Sequence, residues 1–458
     1  MTLPSGRRRE GLPSSRMLGI ASGAILVPLN STMLAVALPG IMGEFRLGAN
    51  EVSSLVSLYL GAVAVVLPLA GSLVDRFGAR RIFLGGVLMF AAASLIGAVG
   101  TSFVILEVAR ALQAAFGALI STSSAALIRE MAHRDRQGEA FGLFDLLVSS
   151  SAAIGPFVGG VVVATFGWRS LFTIAIPVAL LSAATVGALH RPPRTTVRPD
   201  GPRPPLDLAG LGLLALLIVA FLVALRTFGT VTGTIALAAT LPLFALFVLA
   251  EARAARPAVD LALLRQAPFA SAAIGVFGAT VVLHGCFFLV PILVEGLLAG
   301  SPTASGLVLL GIAGVSAIFA PWGGRLSDRL GRRPVAVAGS LVTAVGLAVL
   351  AGPIGMSTAI AVGVLLGVVG LGLGLAGAPR QAGAFESVEP ERVGMAAGTY
   401  YTARYLGGVV GASLGGAVLA AGVTTGGMSV GFGLLAIVSG VVAIVSFGLP
   451  SAPRGRRV

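Results

Sequence analysis

Apolar residues run in long blocks along this chain, and polar residues are confined to short breaks between them. Fourteen runs are long enough to be read as membrane-crossing helices, at about 17–40, 52–74, 81–100, 102–128, 139–164, 169–189, 206–226, 231–251, 268–296, 303–325, 333–353, 356–380, 394–421 and 427–449. Each is close to the ~20 residues that a helix needs to span the hydrocarbon layer. Barrel strands would be shorter and would alternate polar with apolar, which these runs do not do. The pattern predicts an all-α membrane protein of fourteen transmembrane helices.

The breaks carry a repeat. Gly71-Ser-Leu-Val-Asp75-Arg76-Phe-Gly78-Ala-Arg80-Arg81 returns as Gly324-Arg-Leu-Ser-Asp328-Arg329-Leu-Gly331-Arg332-Arg333, 253 positions later. A second correspondence, Gly155-Pro156-Phe-Val-Gly159-Gly160 with Gly411-Ala-Ser-Leu-Gly415-Gly416, is displaced by 256. Two features moved by nearly the same distance imply two related halves, the architecture of a secondary transporter. The expected division is a tail 1–16, a six-helix bundle 17–189, a Pro- and Arg-rich linker 190–205, an inserted two-helix hairpin 206–251, a loop 252–267, a second six-helix bundle 268–449 and a tail 450–458. The apolar run after Arg7-Arg8-Arg9 is too long for the core of a secretory signal and is expected to be the first span.

Composition and charge agree with a membrane class. The chain is 56% hydrophobic and 11% charged, where a soluble globular domain carries roughly 25% charged residues. All 31 basic residues are arginines. With the N-terminus inside, Arg46, Arg169 and Arg226 fall at outer ends, Arg110 and Arg404 fall within spans, and the others lie on the cytoplasmic side, as the positive-inside rule requires. Both termini are then expected in the cytoplasm and the chain in the inner cell membrane. Charge spread over successive inner loops is no nucleic-acid surface, although the net charge is +13. A lone Cys286 and three scattered histidines, His133, His190 and His284, offer no metal site, and no Gly-rich nucleotide loop is present, so neither metal nor cofactor is expected.

Ionisable groups inside spans cost at least ~2.5 kcal/mol on insertion scales and usually mark function. Glu107 and Arg110 are three apart on one helix face, where they could form a structural ion pair or a proton relay. Asp145 has no local partner and is either a titrating group or an acid facing an inward vestibule. His284 lies mid-span, and Glu295 lies near an outer end, where it can reach for water.

These residues resemble a known family. The doubled Gly-x-Leu-x-Asp-Arg-x-Gly-x-Arg-Arg loops look like the signature loop of the major facilitator superfamily, Gly155-Pro156-x-x-Gly159-Gly160 looks like its span-five antiporter motif, and Arg110-Ala-Leu-Gln113-Ala-Ala-Phe-Gly117 resembles its span-four Arg motif. Leu29-Asn30-Ser-Thr32 through Pro39, and Tyr401-Thr-Ala-Arg404-Tyr-Leu-Gly407-Gly408, are similar to segments of its fourteen-span drug:proton antiporter branch. The resemblance implies a major facilitator fold that exports amphipathic or hydrophobic small molecules against protons by alternating access, in the lipid bilayer and as a monomer. It implies loops that act as a conformational latch through Gly71, Asp75, Arg76, Gly78, Arg80, Gly324, Asp328, Arg329, Gly331 and Arg332; the plainer reading of those loops is a turn that only sets orientation. Proton-coupling candidates are Glu107, Arg110, Asp145 and His284, and cavity candidates are Asn30, Gln113, Arg404 and Glu295. The branch usually carries Asp where this chain has Asn30. Either Glu107 or Asp145 takes over the coupling proton, or transport is driven differently and the cargo is a specific metabolite, lipid or self-made antibiotic. A transporter-like receptor or scaffold is the third reading.

Overall fold

The computed structural model describes residues 14–131, 137–188, 208–227, 230–254, 257, 259, 261–389 and 392–451. The expected linker 190–205, most of the two tails and part of the loop 252–267 lie outside the described residues. The described chain is helical apart from its turns. Its helices are α1 (Ser14–Met33), α2 (Leu38–Phe45), α3 (Ala49–Phe77), α4 (Ala79–Val99), α5 (Phe103–Met131), α6 (Gln137–Phe166), α7 (Ser170–Thr173), α8 (Ala175–Gly187), α9 (Leu208–Arg226), α10 (Val231–Arg253), α11 (Ala267–Pro291), α12 (Pro302–Leu330), α13 (Arg332–Leu350), α14 (Ala359–Glu386), α15 (Val393–Val418) and α16 (Thr425–Val445).

Twelve described helices or helix pairs are long and apolar enough to cross a membrane, against the fourteen expected. The two that fall short are α9, whose described apolar part is Ala209–Ala224, and α15. The physical reason differs between them. In α9 the described stretch is short, whereas α15 is diluted by glycines, threonines, three tyrosines and Arg404. Such a helix loses hydropathy because its faces are turned to other helices, and α15 is packed on α3 and α11. The first run also ends differently from expectation. After α1 the chain tightens into a 3-10 turn at Leu34–Ala37 and resumes as α2 with Pro39 in its first turn. At the matching place after α11, Ile292–Leu297 forms a π-helical turn.

The repeat seen in sequence is present in the backbone. Gly78 (φ 88°) and Gly331 (φ 95°) both occupy the left-handed half of φ space that side chains rarely adopt, so each repeated loop turns on a glycine. Arg80 then donates from Nη2 to the carbonyl of Gly187 at 2.7 Å, closing the end of α8, and Arg333 donates from Nε to Leu449 O at 3.0 Å just beyond α16. Carbonyls at a helix C-terminus have no partner inside the helix, and a guanidinium supplies one. The same arginine of each loop thus fastens the last helix of its own set. Helices starting at the opposite, far end of the molecule carry hydroxyl caps instead, from Ser301, Thr358 and Thr424 to the backbone N–H three residues on, at 3.1–3.2 Å.

Matching glycines also make matching contacts. Gly155 and Gly159 of α6 lie against Thr32 and Met33 of α1, while Gly160 lies on the backbone of Pro302 and Thr303 at the start of α12. In α15, Gly411 and Gly415 lie against Val281 and Phe288 of α11, while Gly416 lies on Ser53 of α3. Two glycines of each motif face the helix's own set and the third faces across to the other. The crossing is completed by hydrogen bonds from Thr303 Oγ1 to Gly160 O at 3.3 Å and between the Ser57 and Ser413 hydroxyls at 2.8 Å.

The apolar cores show which end is closed. At the far end a single cluster joins Met33, Leu38, Ile41, Val52 and Leu55 to Phe288, Leu293, Leu309 and Phe432. Toward the loop end the cores divide. Ile20, Val74, Phe83 and Ile120 form one cluster within α1–α8, and Phe269, Ala336, Ala384 and Leu449 form another within α11–α16 and its flanks. Helices α9 and α10 pack on each other, and α9 lies along α3, with further contact to α15.

Removing the Arg333 side chain takes away the bond to Leu449 O. Arg333→Ala is expected to destabilise the protein by about 1–2 kcal/mol, read as a lower melting midpoint in detergent, while the exposed Arg81→Ala leaves the midpoint in place.

Candidate functional site

The polar interior begins at Arg110, the largest of the fully enclosed side chains, with 1% of its surface exposed. Its Nη1 donates to Asn30 Oδ1 on α1 and to Gln113 Oε1 one turn along α5, the latter at 3.0 Å. The guanidinium carbon stands 4.2 Å from the centroid of the Tyr59 ring of α3, a cation–π contact in a dry setting. Gln113 Nε2 continues the network to Ser94 Oγ of α4 at 2.8 Å, and Tyr59 Oη donates to Val27 O at 3.2 Å. Four helices are therefore tied to one cation through neutral groups, while Arg110 Nε has no hydrogen bond. Such a network is held by geometry as much as by charge, because every member must be satisfied for its burial to be tolerated.

Glu107 shares the α5 face of Arg110, as its spacing implied. It is 9% exposed, and its Oε1 accepts a hydrogen bond from Ser54 Oγ of α3. Asn30, expected to line a cavity, is 5% exposed and spends its oxygen on Arg110. Gln113 is fully buried.

A second enclosed cation was missed. Arg380 of α14 is 3% exposed; its Nη2 donates to Ser340 Oγ of α13 at 2.6 Å and its Nε has no hydrogen bond. The chain of this arginine crosses Gly275 of α11, where a Cβ would stand 3.0 Å from its Cδ. The apolar run 356–380 made Arg380 look terminal, but α14 continues to Glu386. The available signal was the absence of any helix stop directly after it, since Gln381-Ala-Gly-Ala-Phe385 keeps apolar residues at helical spacing.

Arg404 of α15 is exposed although it lies mid-helix. Tyr401, one turn away, accepts from Gln381 Nε2 of α14 at 3.2 Å, and Tyr400 packs edge-on against Phe385 and Tyr401 with centroids 5.6 and 5.8 Å away. Tyr405 packs beside the cluster that holds Tyr59, together with Phe221 and Leu222 of α9. The chain has four tyrosines, and all stand on α3 or α15, the pair of helices that crosses between the sets.

The remaining candidates are dispersed. The His284 ring lies against Phe287, and its Nδ1 is 3.1 Å from Thr280 O on its own helix. Glu295 is on the π-helical turn at the far end and accepts from Ser305 Oγ at 2.8 Å. Asp145 belongs to α6, but its side chain lies outside the described residues. In the loops, Asp75 and Arg76 are exposed, as are Asp328 and Arg329. Arg332 bridges Asp328, at 2.5 Å, and Glu386 at the end of α14, at 2.8 Å. Position 79 of the first loop is Ala, so among the described residues that loop has no counterpart of this bridge. Gly71 has open space where a Cβ would be, and Gly324 only ordinary contact; the tight neighbour is Gly323, against Leu375. No group of three potential metal ligands occurs among the described residues.

Comparison with known proteins gives these features a context. The family model described as Major Facilitator Superfamily matches residues 20–285 and 272–458. The chain is similar to the "Tetracenomycin C resistance and export protein" of Streptomyces glaucescens, 33% identical over 92% of this chain and 78% of that one. It is similar also to the "Multidrug resistance protein Stp" of Mycobacterium tuberculosis, 29% identical over 88% of this chain and 75% of that one. Among solved structures, a D-xylose-proton symporter superposes with a TM-score of 0.69 at 14% identity, covering 98% of this chain and 100% of that one, which is a likeness of fold.

Gln113 bridges Arg110 to Ser94, so truncating it leaves both without that partner. Gln113→Ala is expected to cost about 1–3 kcal/mol of stability, whereas Tyr59→Phe, which keeps the ring over the guanidinium, costs about 1 kcal/mol or less; thermal unfolding followed by intrinsic fluorescence separates the two.

Proposed function

The chain belongs to the Major Facilitator Superfamily, is a multi-pass membrane transporter and not an enzyme, and from that premise we propose that it exports amphipathic or hydrophobic small molecules in exchange for protons. The observation that carries this reading is the division of the apolar core: one cluster shared at the far end, and two separate clusters toward the loop end. Bundles that share an apolar core at one end and hold separate cores at the other are what alternating access requires of one of its two states.

In this reading the bundles are 17–189 and 268–449, the helices number fourteen, and α9–α10 with the segment 206–251 is an inserted hairpin. The arginine-rich loop end and both termini face the cytoplasm of a bacterial inner membrane, by the positive-inside rule, and the protein works as a monomer. Cargo enters from the cytoplasm or inner leaflet between the bundles. Release on the far side requires the contacts of Gly160 with Pro302 and of Gly416 with Ser53 to part, while the loop end closes around Asp75 and Asp328. Glycine at both crossings leaves no large side chain interlocked at those two points, although the shared apolar cluster must part as well.

Proton coupling falls to Glu107 or Asp145, because Asn30 cannot release a proton. Glu107 stands beside the Arg110 network, at a helix crossing that the rocking motion disturbs. A second reading is favoured by that same asparagine: Arg110 is neutralised by no residue at position 30, and export of a specific metabolite or self-made antibiotic without proton exchange would need none.

The test is efflux from proteoliposomes with an imposed pH gradient. Outward transport is expected to accelerate when protons flow inward, and transport indifferent to the gradient selects the uncoupled reading. Glu107→Gln and Asp145→Asn are each expected to reduce the gradient-driven component. If both retain it in full, neither is the proton carrier.

A further inference from the structure

The interior is unusual in its sign. Arg380 and Arg404 form no ion pair with any carboxylate among the described residues, and the bonds of Arg110 go to amide oxygens and an aromatic ring. Of the acids, Glu107 lies one turn from Arg110 and accepts from Ser54, Glu295 accepts from Ser305 at the far end, and the buried Glu251 of α10 accepts from Val259 N–H. Burying a cation without an anion is unfavourable, and proteins ordinarily pair it. Neutral partners lower that cost without cancelling the field, so the α14–α15 side of the interior, with Arg380 and Arg404, is left electropositive.

Arg404 is the one of the three that a ligand can reach, being exposed where Arg110 and Arg380 are enclosed. Its direction follows from Gly408, one turn on. A Cβ at Gly408 would meet Leu60 of α3 at 2.8 Å and the His284 ring of α11 at 3.0 Å, so this face of α15 looks across the seam between bundles. Arg404 occupies the same face, one turn nearer the loop end, where the bundle cores are separate. Tyr401 and Tyr405 flank it, and the hydroxyl of Tyr401 is bonded to Gln381 of α14. A planar guanidinium with tyrosines close by along the same helix suits a carboxylate or sulfonate attached to an aromatic body: the fork takes two oxygens and the rings take the apolar part.

We propose that the cargo of this cavity is an amphipathic organic anion, held at its charged group by Arg404 and at its aromatic body by Tyr401 and Tyr405. The inference deepens the export reading and rests on it. Arg380 stands on α14, which touches α15, and the Tyr59 that covers Arg110 shares an apolar cluster with Tyr405; both cations add attraction for an anion and repulsion for a cationic drug. An anionic phospholipid headgroup offers the same chemistry, so the experiment separates the two sources.

Three probes with one ring system serve the test: pyrenebutyrate, neutral pyrenebutanol and a pyrenebutyl trimethylammonium. Binding to the purified full-length protein in uncharged detergent is followed by pyrene fluorescence. The butyrate is expected to bind most tightly. Arg404→Gln is expected to weaken it about tenfold and to leave pyrenebutanol unchanged, and Arg404→Lys to recover part of the loss, at an unaltered melting midpoint. Equal butyrate binding by wild type and Arg404→Gln, or preference for the cation, overturns the inference. In proteoliposomes of phosphatidylcholine, movement of the cation but not the butyrate leaves export standing and rejects the anionic cargo, whereas no movement of any probe rejects both readings. Displacement of the butyrate by phosphatidylglycerol, with no butyrate flux, assigns Arg404 to a lipid headgroup and rejects the cargo claim.

Discussion

The far end of the molecule is closed by glycines that let neighbouring helices lie close, and the rest of the structure depends on that contact. Gly160 meets Pro302 and Thr303, Gly306 meets Pro156 and Phe157, and Gly416 meets Ser53. In a bilayer the hydrophobic effect does not drive one helix onto another, because lipid tails are as apolar as leucine. Close van der Waals approach and occasional hydrogen bonds must do it, and small residues permit both. A side chain at any of these positions would push the bundles apart at the end where they share a core. The two crossings, α6 on α12 and α3 on α15, are related by the internal repeat; a glycine meets backbone at the first and the small Ser53 side chain at the second.

Such a seal makes the loop end intelligible. The repeated loops bend at Gly78 and Gly331 and send Arg80 and Arg333 to the carbonyls that end the first and last helical sets. One arginine per loop therefore has a fixed structural task inside its own bundle. Asp75, Arg76 and Arg329 are exposed beside these turns, and so is Asp328, which is held by Arg332. Among the described residues the bridge from Arg332 to Asp328 and Glu386 has no partner in the first loop, which carries Ala79 at that place, so the two loops are alike in backbone and unlike in charge. Two stacked halves that differ in this way need not move with equal ease.

Inside, charge is managed by neutral groups. Arg110 is dispersed over two amides and a tyrosine ring, and Arg380 leans on one hydroxyl. The tyrosines follow the cations: three of the four stand on α15, and the fourth covers Arg110 from α3. Helix α9 packs along the same α3–α15 seam, with Phe221 and Leu222 beside Tyr405, which gives the segment between the bundles a position against the polar interior and not merely at the periphery.

Much of this was legible in the amino-acid sequence, and for a physical reason. Hydrocarbon tolerates a helix only if nearly every side chain is apolar, so run length alone sets the class, and the doubled loop with its offset glycine motif sets the internal symmetry. Left-handed glycines and small-residue contacts are local demands, and Gly78, Gly331, Gly160 and Gly416 meet them where the motif placed them. Partnership across helices is not local. Spacing put Glu107 on the face of Arg110, yet the guanidinium is bound to Asn30, 80 residues away, and the carboxylate to Ser54, 53 residues away. Arg380 was hidden by its place at the edge of an apolar run, and α15 by its mixed composition. Periodicity reports which face of a helix is apolar, and says nothing of which helix that face will meet. That choice was made by the tertiary packing, where the cost of an unsatisfied group in a dry interior selects one neighbour from many.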